Sequence, residues 1–99
     1  METLLREIIN EAGAQAAEAK AAGDERGFAL ARHRMSLTEP NGMLRAAAGM
    51  TGERYAEFRA VLEDKAARRR ALEDFDREEL ARIQIELCDF VRGGAVYGE

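Results

Sequence analysis

Residues 75–80, with the sequence Phe-Asp-Arg-Glu-Glu-Leu, carry the strongest helix-start signal in the chain. Asp76 suits the N-cap position, and the carboxylate of Glu79, three residues later, can accept a hydrogen bond from the N–H of that cap. Phe75 before the cap and Leu80 after it are placed to form a hydrophobic staple. These signals agree at one helix start and indicate a well-ordered helical protein, but they do not indicate a chemistry.

The rest of the chain has helical periodicity and no strand-like alternation, so the predicted fold is all-α. We expect a compact bundle of four to five helices in a single domain, residues 1–99. The predicted helices run from about Thr3 to Ala22, Asp24 to Met35, Met43 to Ala48, Thr51 to Glu73 and Asp76 to Arg92. Helix five is apolar on two sides, so we expect it at the centre, with helices one and four packed across it.

Glycines and capping residues set these predicted boundaries. The residues that carry the signals are Gly23 and Gly49 as helix ends, and Asp24 and Thr51 as N-caps. Gly93-Gly94 is predicted to end helix five, which leaves residues 95–99 as a loose C-terminal tail.

The composition describes a small acidic protein with a thin core. Hydrophobic residues make up 46% of the 99 residues, but 19 of them are alanine. A monomer can fold on such a core, and burial against a partner or a second copy, as in a homodimer, would strengthen it. The net charge of −4 argues against general attraction to nucleic acid or to anionic lipid. The basic run Arg68-Arg69-Arg70 lies between acidic residues and is typical of a solvated, salt-bridged face.

Targeting and redox signals point to the cytoplasm. The N-terminus lacks the pattern of a signal peptide, and no apolar run approaches the roughly 20 residues of a membrane span, so no membrane partner is expected. The single cysteine, Cys88, excludes an intramolecular disulfide and lies among apolar residues, as a buried thiol does.

No residue set predicts catalysis. His33 is the only histidine, and it lies on a different predicted helix from Cys88, so a nucleophile–base pair would require those helices to meet. No cluster has metal-ligand spacing, and no glycine-rich phosphate loop follows a strand. We therefore expect a protein that is not an enzyme and that has no cofactor and no metal.

Residues 28–58 carry a register of apolar positions around a glycine in a turn. The positions are Leu44, Ala48, Gly49, Tyr55 and Phe58, preceded by Phe28, Ala31 and the turn 36–38. This register resembles that of repressor- and Cro-type helix-turn-helix domains, although the turn from Thr38 to Leu44 is two residues longer than theirs. The resemblance implies DNA contacts from Thr51, Arg54 and Glu57, within residues 43–59, in a dimeric regulator whose seam is helix five or helix one. Any amphipathic helix–turn–helix reproduces much of the same register.

The leading interpretation is a non-enzymatic cytoplasmic protein that acts by binding another protein. An adaptor, an assembly factor or a blocking inhibitor would fit, and phage and mobile elements encode many proteins of this style. The residues expected at the interface are those of helix five, Ile85, Cys88, Phe90 and Val91, with Ile85 facing solvent. The helix-turn-helix DNA-binding regulator is the alternative.

Overall fold

The computed structural model describes residues 1–96 and contains five α-helices in that range, so the predicted all-α bundle is confirmed. The helices are α1 (Glu2–Ala22), α2 (Glu25–Ser36), α3 (Met43–Ala48), α4 (Gly52–Ala71) and α5 (Phe75–Val96). The fourth helix is continuous across its arginine run. The molecule is flat, with principal extents of 41 × 35 × 20 Å.

Helix α5 lies at the centre and contacts each of the other four helices, as predicted. Helix α4 packs along α5, and α3 also packs on it. Helix α1 differs from the prediction, because it packs mainly against α2 and touches α5 only lightly. The core joins α1, α3, α4 and α5 through one cluster of buried side chains: Leu5, Ile8, Leu37, Leu44, Ala47, Tyr55, Ile83, Leu87, Cys88 and Val91.

The first helix boundaries follow the sequence signals. Gly23 adopts φ 70° after α1, a left-handed conformation that costs glycine little. The Asp24 carboxylate then accepts a hydrogen bond of 2.9 Å from the backbone N–H of Gly27 and caps α2. Thr51 caps α4 in the same way, with its hydroxyl accepting a 3.2 Å bond from the N–H of Arg54.

Helix α4 ends at Ala71, two residues before the predicted end. The chain leaves the helix through Glu73, whose φ is 59°, and the N–H of Asp74 donates to the carbonyl of Arg69 at 2.9 Å. The same arrangement ends α1, where the N–H of Asp24 donates to Ala19 at 2.8 Å. The prediction missed this end because a glutamate holds the left-handed position that glycine marks after α1.

Replacing Glu73 by glycine is expected to stabilise the protein. A left-handed non-glycine residue is strained by about 1–2 kcal/mol, and glycine removes that strain at a smaller entropic cost, for a net gain of about 0.5–1 kcal/mol. Chemical denaturation monitored by circular dichroism measures the change. Glu57→Gly, inside α4, is the control and should destabilise by about 1 kcal/mol. A destabilised Glu73→Gly variant would contradict the strain argument.

The predicted start of α5 is wrong, because the N-cap lies two residues earlier than predicted, at Asp74 rather than Asp76. The helix begins at Phe75, and the capping carboxylate belongs to Asp74, which accepts a 3.2 Å bond from the N–H of Arg77. Phe75 is therefore inside the helix and 57% exposed, rather than before the cap. Asp76 and Glu79 instead pair with Arg26 of α2. Residues 74 and 76 are both aspartates, so the sequence offers two possible N-caps two residues apart.

The predicted end of α5 is also wrong. The helix continues through Gly93-Gly94 to Val96, since glycine weakens a helix by only about 1 kcal/mol and does not by itself stop one. The predicted tail, residues 95–99, thus begins inside the helix, and residues 97–99 lie outside the described part of the chain.

Candidate functional site

Three of the four residues predicted to contact a protein partner are buried within the chain itself. Ile85 is 7% exposed, and Cys88 and Val91 are fully buried, so the expectation that Ile85 faces solvent is wrong. Phe90, at 44% exposure, is the one that reaches the surface. The apolar pattern on two sides of α5 reflects its central position, where helices of the same chain cover both sides.

Burial also sets the chemistry of Cys88. Removal from water, with a smaller effect from the charge of Asp89, raises the pKa of its thiol to about 11. The thiol is therefore protonated at neutral pH and packs as a small apolar side chain, as expected from the sequence.

The residues of the DNA-binding alternative lie at the exposed start of α4. Thr51, Arg54 and Glu57 are all exposed, after a connection of three residues, 49–51, between α3 and α4. The hydroxyl of Thr51 is engaged as the N-cap of α4. Arg54 forms no ion pair within the described part of the chain. The exposed carboxylate of Glu53 lies in the same turn.

An open surface groove lies between α2 and α5. This α2–α5 groove has a volume of about 630 Å³ and is lined by Arg26, Ala29, Leu30, Arg32, His33, Ser36, Asp76 and Leu80. Its volume is within the range of about 300–1,000 Å³ that is typical of binding clefts. Three apolar side chains form part of its lining, and Ala29 is exposed within it.

The groove exists because α2 and α5 meet only lightly. Arg26 fastens one end, with its Nε 2.9 Å from Asp76 Oδ1 and its Nη2 paired with Glu79. Two carboxylates therefore engage Arg26, which leaves one negative charge in excess at this end of the groove. Small side chains at Ala29 and Ser36, one on each side of Arg32 along α2, leave the space beside Leu80 unfilled.

Cations surround Leu80 on both sides. A second hollow of about 280 Å³, between α4 and α5, shares Leu80 with the groove and is lined by Lys65, Arg69, Arg77, Ala81 and Gln84 as well. Arg69 and Arg77 share one carboxylate, Asp74, at 4.0 and 3.5 Å. Arg32 and Lys65 form no ion pair among the described residues, although Arg32 lies 5.9 Å from the ring centre of Phe28. This face is therefore locally positive in a chain whose net charge is −4.

His33 is the one histidine in the lining of the groove. Its Nε2 is buried and has no hydrogen-bond partner among the described residues. Burial lowers the pKa of the imidazole, the charges of Arg34 and Lys65 lower it further, and the nearby backbone of Leu80 offsets part of the shift. His33 is consequently neutral at pH 7.

This pKa predicts a pH dependence of stability. The unfolded chain takes up a proton on His33 near its ordinary pKa of about 6.5, and the folded chain takes it up only at lower pH. Stability should therefore fall as the pH is lowered through about 6.5 toward the folded pKa. Urea denaturation at about pH 7.5 and about pH 5.5 measures it, and His33→Gln should show the smaller loss. Equal losses in both proteins would contradict the assignment.

Residues 1–96 contain no group of three or more histidine, cysteine, aspartate or glutamate side chains placed to hold a metal ion. None of the helices in that range combines the length and the apolar character that crossing a membrane requires.

No protein-family model, curated protein or solved structure matches the chain. The groove and its surrounding charges are therefore the features that bear on function.

The sequence interpretation missed the α2–α5 groove. Its partial signal is the spacing on α2, where Arg26, Ala29, Leu30, His33 and Ser36 recur at three- and four-residue intervals and so share one side of the helix. Because that side of α2 mixes small, charged and apolar residues, it does not form the apolar stripe that predicts a binding surface.

Proposed function

We propose that this chain is a non-enzymatic protein that acts in the cytoplasm by binding another protein, and that the α2–α5 groove is the surface it uses. The observation that carries the proposal is the groove itself: a cleft of about 630 Å³ with Leu30 and Leu80 in its lining and Arg32 on its rim. An apolar interior with a charged rim is the usual anatomy of a protein-binding site. An adaptor, an assembly factor and a blocking inhibitor would each work through such a surface.

The buried residues of α5 strengthen this choice of surface. Ile85, Cys88 and Val91 are already covered by the chain, so they offer no contact area unless the fold opens. The groove, in contrast, is open in the folded protein and includes an exposed alanine that can be enlarged without removing any core atom.

Affinity capture from cells of the source organism tests the proposal with a matched pair of variants. Ala29→Gln places a larger uncharged side chain in the groove, and Ala17→Gln makes the same change at an exposed position in α1, away from the groove. We expect a protein that is captured by the wild type and by Ala17→Gln and is lost with Ala29→Gln. A captured set that is the same for all three proteins would refute the groove as the binding surface.

DNA binding by the start of α4 is the second candidate. The observation that favours it is Arg54, which is exposed and outside any ion pair of the described residues, two residues beyond the capped start of a helix that follows a three-residue connection. Retention of sheared genomic DNA at about 50 and 200 mM salt tests it. Fragment-selective retention that weakens with salt and is lost with Arg54→Ala would support this function. The absence of retention at the lower salt would remove it.

A further inference from the structure

The length of the α2–α5 groove matches that of a short helix. Its lining residues on α2 extend from Arg26 to Ser36, and at 1.5 Å per residue this is about 15 Å, or roughly three helical turns. On the opposite side, Asp76 and Leu80 are one turn apart on α5. A cleft between two helices with apolar side chains along it receives the apolar side of a third helix, in the way that amphipathic helices bind grooves in other proteins.

The charge around the groove favours one sign of net charge on the bound helix. Arg26 is engaged by Asp76 and Glu79, so it offers little free charge. Arg32 on α2 and Lys65 on α4 have no ion-pair partner among the described residues, and Lys65 is close enough to His33 for its charge to contribute to the lowered pKa there. A docked carboxylate would pair with these two cations without displacing any existing ion pair.

The neighbouring hollow adds to this positive field. Arg69 and Arg77 share the single carboxylate of Asp74, which leaves one positive charge in excess beside Leu80. Five cations line the two hollows that share Leu80 and three carboxylates pair with them, although acids outnumber bases by 19 to 15 in the whole chain. A basic partner segment would meet like charges at Arg32 and Lys65, and the nearby carboxylates of Asp76 and Glu79 are already engaged by Arg26.

We infer that the occupant of the α2–α5 groove is an acidic amphipathic helix of a partner protein, with its apolar side on Leu30 and Leu80 and its carboxylates toward Arg32 and Lys65. The inference rests on the proposed function, because it specifies the chemistry of the partner for that same groove. The neutral imidazole of His33 also lies in the lining of the groove.

Two synthetic peptides of about 14 residues test the inference. One carries a leucine stripe flanked by glutamates, and the matched peptide carries lysines in place of the glutamates. Fluorescence anisotropy gives the Kd of each for the full chain, and amide chemical shifts locate the site. We expect the acidic peptide to bind at least about tenfold more tightly, with shifts concentrated at Ala29, His33 and Leu80 and absent at Ala17.

Charge reversal supplies the decisive control. The double variant Arg32→Glu, Lys65→Glu should invert the preference toward the lysine peptide, since both side chains lie outside the core and their loss breaks no ion pair of the described residues. If that variant is unfolded by circular dichroism, Arg32→Gln with Lys65→Gln should still abolish most of the preference. Equal binding of the two peptides, tighter binding of the lysine peptide, no binding of either, or shifts outside the groove would each overturn the inference.

The two proposals fail in different ways. A captured partner that depends on Ala29 but docks through a basic segment would overturn the acidic-helix inference and leave the proposed function standing. Capture that is insensitive to Ala29→Gln would refute the use of the groove altogether.

Discussion

Ile85→Glu is expected to unfold the protein. The side chain of Ile85 is 7% exposed on the central helix, so glutamate at this position would bury a carboxylate without a partner and remove apolar contacts. The cost is about 4 kcal/mol or more, which is most of the stability of a marginally stable domain of this size. Circular dichroism and urea denaturation measure it, and we expect loss of the cooperative transition in the variant.

Phe90→Glu is the control for this prediction. Phe90 lies on the same helix but is 44% exposed, so its replacement should cost about 1 kcal/mol and leave a folded chain. An Ile85→Glu variant that melts like the wild type would show that the side chain reaches solvent and would restore it as an interface residue.

Arg92→Met is expected to destabilise the protein by about 2–4 kcal/mol. Arg92 Nη1 donates to the carbonyls of Ala47 and Met50 at 2.9 and 2.8 Å, at the end of the short helix α3. Its guanidinium also lies 4.3 Å from the ring centre of Tyr55. Methionine keeps the apolar stem but leaves two carbonyl groups without this donor, so the connection between α3 and α4 should loosen first.

Chemical denaturation gives the magnitude, and amide hydrogen exchange shows where protection is lost. Exchange should accelerate in α3 and at the start of α4 more than in α1 and α2. Arg70→Met, at an exposed arginine outside any ion pair of the described residues, is the matched control and should change stability by less than about 0.5 kcal/mol. Equal effects of the two substitutions would contradict a structural role for Arg92.

The charged network between α4 and α5 shows how polar groups fasten the same helix pair. Tyr55 Oη donates to Asp89 Oδ1 at 2.5 Å, and Arg59 Nη2 lies 3.0 Å from Asp89 Oδ2. Burial, reinforced by the carboxylate of Asp89, raises the pKa of Tyr55 well above its usual value, so the phenol remains a donor. Arg59 also pairs with Glu63 at 2.6 Å, which completes a network that fixes the register of the two helices.

The fold class and the central place of α5 could be predicted because they depend on local patterns. Each of these patterns involves only residues close together in the sequence. They are the helical periodicity, the glycine after α1 and the caps at Asp24 and Thr51. Glu73 shows the limit of such reasoning. Its left-handed conformation comes from the turn between two packed helices, and a glutamate at this position does not predict that conformation.

The candidate site could not be predicted, because apolar character alone does not separate an interface from a core. The pattern on α5 predicts a partner surface, whereas α1, α3 and α4 of the same chain cover it. The α2–α5 groove depends on where α2 settles against α5 and on the pairing of Arg26 with Asp76 across 50 residues of sequence. Such long-range contacts carry no local signature.

Photo-crosslinking in living cells tests the central claim, that the α2–α5 groove contacts a protein partner, most directly. A photoreactive phenylalanine analogue would be placed at position 29 in the groove, at position 17 on α1, or at position 54 on α4, and crosslinked products identified by mass spectrometry. We predict one crosslinked protein from position 29 and no adduct from positions 17 or 54. A crosslink to protein or DNA from position 54, with none from position 29, would contradict the account and move the functional surface to the start of α4.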